Sequence, residues 1–98
     1  MKKANKAAME KHHDIRPEDY DLVISHYKNL ITRNENVIDA YNNMGFIYME
    51  KEEYEEALKC FLKILEMTPE TAGTLNNVGY VYEKLDRPDM ARHYYEKA

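Results

Sequence analysis

Cysteine is nearly absent from this chain, and that alone closes several routes. A single thiol, Cys60, can form no intrachain disulfide and leaves no paired thiols for a cysteine-rich zinc site. Cys60 sits in an apolar helical run, so it reads as a small packing residue in a reducing, cytoplasmic setting. Long apolar runs are missing too: no stretch of 18 or more residues could span a bilayer. The start, Met1-Lys2-Lys3-Ala4-Asn5-Lys6, is basic, but no apolar stretch follows, which argues against a secretory signal. Catalytic patterns are lacking as well. There is no glycine-rich phosphate loop, no nucleophile paired with a base and no zinc-ligand spacing. His12 and His13 are adjacent, so on a helix they point about 100° apart. With Asp14 they read as a solvated helix end, and His26 and His93 stand alone. The expectation is a protein that is not an enzyme, with no catalytic residue, metal or cofactor.

Charge is unevenly spread. Residues 1–16 carry five basic and two acidic groups, residues 17–71 five basic and twelve acidic, and residues 72–98 four of each. The acidic middle disfavours nucleic acid, which rewards clustered lysine and arginine. The run Glu50-Lys51-Glu52-Glu53 with Glu55-Glu56 reads as a solvated turn and helix face.

What the chain does have is an internal repeat. Shifted by 34 residues, Asn42-Asn43-Met44-Gly45-Phe46-Ile47-Tyr48 falls on Asn76-Asn77-Val78-Gly79-Tyr80-Val81-Tyr82. Ala57 falls on Ala91, Phe61 on Tyr95 and Lys63 on Lys97. Within a unit, Tyr41, Met44, Gly45 and Tyr48 share one helical face, and Ala57, Leu58, Phe61, Leu62 and Leu65 form the apolar side of a second helix. Thr68-Pro69-Glu70, Arg87-Pro88-Asp89 and Arg16-Pro17-Glu18-Asp19 read as helix openings. Glycine within a helix costs about 1 kcal/mol relative to alanine. Gly45 and Gly79 are therefore expected to serve close approach, facing Ala57 and Ala91. Tyr41, Tyr48, Tyr54, Tyr82 and Tyr95 are expected in the core.

The 34-residue period and the pattern Tyr41, Met44-Gly45, Tyr48, Ala57, Phe61, Pro69, continued by Gly79, Tyr82, Ala91 and Tyr95, resemble the tetratricopeptide repeat. That resemblance implies an all-α solenoid of about six antiparallel helices, over roughly 3–13, 18–33, 37–50, 54–66, 70–84 and 88–97. It divides a single helical repeat domain, 1–98, into a degenerate repeat (1–37), a full repeat (38–71) and a truncated one (72–98). In the degenerate repeat, Val23, Glu35 and Lys11 stand where a small residue, proline and glycine are usual. In the truncated repeat, Leu75 replaces a large aromatic and Pro88 a tyrosine.

The resemblance also implies a site. First helices of such repeats line a concave surface that binds extended peptides or partner helices. The matching positions are Asn42, Asn43, Phe46, Met49 and Glu50 in one repeat and Asn76, Asn77, Tyr80 and Glu83 in the next, with Asp39 and Lys84 nearby. An asparagine amide both donates and accepts, so Asn43 and Asn77 could bind a peptide backbone whatever its sequence. With only Lys84 basic, a carboxylate clamp is unsupported, and the expected ligand is an extended, non-acidic peptide. The alternative is a self-assembling scaffold. By pattern the chain stops in mid-helix at Lys97-Ala98, and apolar end faces would then drive homo-oligomers.

Overall fold

The computed structural model describes residues 15–98. Among them are a short 3-10 turn, Pro17–Asp19, and five helices: α1 (Tyr20–Thr32), α2 (Val37–Glu50), α3 (Tyr54–Met67), α4 (Ala72–Lys84) and α5 (Pro88–Lys97). This is the all-α repeat architecture, in helices that follow one another closely. The expected helix over 3–13 lies outside the described residues. The closest packing is within the pairs α2–α3 and α4–α5, with α1–α2 and α3–α4 joining the layers.

Two expected helix starts move. The helix expected to start at residue 70 starts at Ala72, because Thr71 and not Thr68 is its N-cap: the Thr71 hydroxyl accepts from the Thr74 N–H at 3.3 Å. Thr68 looks backward instead, its hydroxyl donating to the Ile64 carbonyl at 2.8 Å and closing α3. The helix expected from residue 18 begins at Tyr20, after Pro17 has opened the 3-10 turn. Pro88 does occupy the first turn of α5. Helices α2 and α4 end alike. Glu52 (φ 62°) and Asp86 (φ 60°) are left-handed, and Glu53 N–H reaches Tyr48 O as Arg87 N–H reaches Tyr82 O. The residues involved stand 34 apart, so the period extends to the turn.

The core is one apolar cluster. Phe61, Ile47, Val78 and Val81 are fully buried at its centre, and no polar or charged residue is buried among the described residues. The glycines serve close approach, with an aromatic ring and not the expected alanine as the nearest neighbour. A Cβ on Gly45 would lie 2.6 Å from the Phe61 ring tip, and one on Gly79 would lie 2.8 Å from the Tyr95 ring. Ala57 and Ala91 are buried but are not among the nearest atoms. Phe46 meets the same Phe61 ring edge-to-face at 5.5 Å. Of the tyrosines expected in the core, Tyr48 is buried, while Tyr41, Tyr54, Tyr82 and Tyr95 are half-buried at its margin. Pro69 is exposed, two residues ahead of the α4 cap. Outside the core, Lys51 pairs with Asp21 and Glu53, tying α1 to the α2–α3 turn, and Lys97 pairs with Glu70 at 3.0 Å. Such exposed pairs contribute about 0–1 kcal/mol each.

Cys60 is buried, and its thiol is pushed up to about 11, first by burial and then by Glu56, with Lys28 opposing. An unfolded chain releases this proton from about pH 9, whereas the fold holds it to about 11. The stabilisation is therefore complete below pH 9 and is lost as pH rises through 11. Each pH unit of that window removes about 1.4 kcal/mol. Wild type should lose about 2 kcal/mol more than Cys60→Ala between pH 9 and 11 in urea unfolding. Equal losses would show that the thiol ionises freely in the fold.

Candidate protein-interaction face

Residues Phe46, Met49 and Glu50 leave α2 on the side opposite Tyr41, Met44 and Tyr48, as about 100° per residue requires. Tyr80 and Lys84 leave α4 at the equivalent positions, 34 residues on. Between the two helices these five side chains, with Glu52 and Tyr54, line a hollow of about 280 Å3. Tyr80 is 43% exposed there, with the Lys84 ammonium 5.4 Å from its ring centroid. Phe46 is half-buried because its ring also contacts Phe61. It therefore serves core and hollow at once.

The expected site residues divide into three groups. Phe46, Met49, Glu50 and Tyr80 come together at the hollow. Asn42, Asn43, Asn76 and Asn77 lie one turn earlier on the same two helices and do not line it. None of the four amides makes a side-chain hydrogen bond within the described residues; Asn76 is exposed and the other three half-buried. Glu83 is turned elsewhere: the Tyr95 hydroxyl donates to its carboxylate at 2.8 Å. Burial, then this bond, pushes the Tyr95 phenol up to about 12.

Two lining residues, Glu52 and Tyr54, were not expected at the site. The left-handed backbone at Glu52 turns the chain so that α3 starts beside the hollow. The only signal in the sequence was the register match of Glu52 with Asp86. Next to this hollow lies another of about 510 Å3, where Glu52, Glu53, Glu55 and Glu56 meet Tyr54 and Leu85. The charge run is thus an acidic border to the α2–α4 face as well as a solvated turn. A neutral or basic partner suits such a border better than an acidic one.

No helix among the described residues is long and apolar enough to cross a membrane. No group of three or more histidine, cysteine or carboxylate side chains there is placed to hold a metal.

The tetratricopeptide repeat family model matches residues 36–98. The chain is similar to photosystem I assembly protein Ycf3 of Prochlorococcus marinus (strain MIT 9211), 31% identical over 77 residues, which cover 76% of this chain and 44% of that protein. It is 35% identical over 72 residues to Ycf3 of Synechococcus sp. (strain CC9311), covering 70% and 42%. It is 34% identical over 82 residues to the uncharacterized protein ycf37 of Cyanophora paradoxa, covering 80% and 48%. The chain spans less than half the length of these relatives.

Proposed function

We propose that this chain, which belongs to the tetratricopeptide repeat family, is a non-catalytic protein-binding module that holds an extended, non-acidic segment on its α2–α4 face. The observation that carries this reading is Tyr80, an exposed aromatic over a hollow floored by Phe46 and Met49. Aromatics so placed dominate binding energy, because they bury large area at low entropic cost. The asparagines continue the same face and are free of side-chain hydrogen bonds within the described residues. Asn43 and Asn77 would hold a peptide backbone, each bond contributing about 0.5–1.5 kcal/mol net. Two relatives are named as assembly proteins. A role in bringing proteins together fits this chain.

An array of extended peptides, probed with wild type and with Tyr80→Ala, tests the reading. Peptides lost on the substitution should be neutral or basic, with affinity reduced about 30-fold, as removal of a hot-spot aromatic would give. Asn43→Ala with Asn77→Ala should weaken the same peptides. If the peptides lost with Tyr80 are strongly acidic, or if no peptide is lost, the reading fails.

Self-assembly through the ends of the stack is a second reading, favoured by Leu22, which is 71% exposed on α1 beside a hollow lined by Val23, His26 and Asn29. Sedimentation of wild type against Leu22→Lys reads it directly: a monomer in both removes it.

A further inference from the structure

Helix α2 has a second side. Opposite the face just described, Tyr41, Met44 and Tyr48 floor a hollow of about 480 Å3 between α1 and α3. Cys60 closes it from α3, and Lys28 reaches it from α1. That volume is in the range of sites that hold a side chain or small ligand.

Three features of the lining stand out. Tyr48 is only 8% exposed, yet its hydroxyl has no hydrogen-bond partner among the described residues. A phenol that lines such a hollow without a partner is a donor open to whatever enters it. Among the same residues the Tyr41 hydroxyl is likewise unpartnered, and so is the Lys28 ammonium. Finally, the charge here is reversed. Lys28, Lys59 and Lys63 outnumber Glu56 and Glu66, in a chain of net charge −4. Both glutamates are already engaged along α3, Glu56 by Lys59 at 3.4 Å and Glu66 by Lys63 at 3.5 Å. What remains unmatched is a pair of phenolic donors and one cation over an apolar floor. Their complement is an anionic acceptor beside an apolar side chain.

We propose that the α1–α3 hollow is a second docking site, which takes an acidic segment of a partner protein. An apolar side chain of that segment enters over Met44 and Cys60. A neighbouring carboxylate accepts from the Tyr48 hydroxyl and pairs with Lys28. The neutral thiol of Cys60 suits the apolar end, and Lys28 lies close enough to oppose part of its rise. The two sides of α2 then receive segments of different charge, one non-acidic and one acidic, which lets the module hold two partners together. This site stands independently of the α2–α4 reading.

The probe is the capped peptide acetyl-Asp-Leu-Phe-Glu-amide, with acetyl-Asn-Leu-Phe-Gln-amide as its uncharged twin. Both are titrated into the isotopically labelled chain and followed by amide chemical shifts. The acidic peptide should bind at least tenfold tighter than its twin, shifting Tyr48 and Cys60. Lys28→Glu should weaken it tenfold or more. Tyr48→Phe should weaken it severalfold with the melting temperature unchanged or raised, since no internal bond is lost; Tyr80→Ala should leave it unchanged. Equal binding of the twins, or no binding at millimolar concentration, overturns the proposal. So does a Tyr48→Phe variant that melts lower and binds normally, because the hydroxyl would then be structural. Shifts confined to Phe46 and Tyr80 would place the acidic peptide on the α2–α4 face and count against both readings.

Discussion

Gly45→Ala is expected to destabilise the fold by about 2 kcal/mol, and Gly79→Ala, its equivalent one repeat on, by less than about 1 kcal/mol. In each case the alanine recovers about 1 kcal/mol of helix propensity. In each case its methyl also collides with a ring, at 2.6 Å for Phe61 and 2.8 Å for Tyr95. The difference lies in what the ring can do. Phe61 is 0% exposed and is met on another side by Phe46, so it has nowhere to go, and overpacking there costs about 3 kcal/mol. Tyr95 is half-buried on the last described helix. It can swing toward solvent for the loss of its bond to Glu83, about 1 kcal/mol. Urea unfolding followed by helix content measures both. Equal losses at the two glycines would show that burial of the ring does not decide the cost.

Phe61→Ala is expected to cost about 3–5 kcal/mol, the range for a buried phenylalanine truncated to alanine. A chain of this size has about 5–15 kcal/mol in all, so the variant should be partly unfolded at 37 °C. The large effect follows from position. Phe61 is contacted by α2 through Gly45 and Phe46, and it belongs to the same buried cluster as Val78 and Val81 of α4. Its removal therefore opens a cavity between α2 and α3, within the cluster that also holds Val78 and Val81. Tyr95→Ala removes the ring at the equivalent place, half-buried at the edge of the fold, and should cost about 1–2 kcal/mol. Calorimetry that finds Phe61→Ala no worse than Tyr95→Ala would refute this asymmetry.

The two pairs also show where reading the sequence succeeds and where it stops. Repeat period, helix order and the special status of Gly45 and Gly79 are all carried by spacing along the chain. Spacing says that these glycines face a neighbour; it does not say which. Ala57 is the contact its small size suggests, yet the ring of Phe61, one turn further along α3, fills the gap. The same limit applies to Thr68 and Thr71. Either could cap a helix by type, and both have extended backbone, but only the Thr71 hydroxyl meets an N–H of the helix that follows, while that of Thr68 donates back to Ile64. At the candidate site, Phe46, Met49, Glu50 and Tyr80 are legible because a helix surface is a simple function of residue number. Glu83 is not, because its partner, Tyr95, lies on another helix. Glu52 and Tyr54 escape a helical count because a left-handed turn brings them in.

Residue order is enough to establish a stack of paired helices with a 34-residue period, the apolar sides of α2 and α4, and a single thiol that lies inside. Helical periodicity and turn chemistry are local, and each is set by residues a few positions apart. Only the packed helices show that Phe61 and Tyr95 rest on the glycines, that Tyr80 overhangs a hollow with an acidic border, and that among the described residues the Tyr48 hydroxyl has no partner, in a hollow that Lys28 also lines. These depend on how helices cross and how far apart they sit. Crossing angle and separation are set by all the side chains at a contact together, and no single spacing along the chain encodes them.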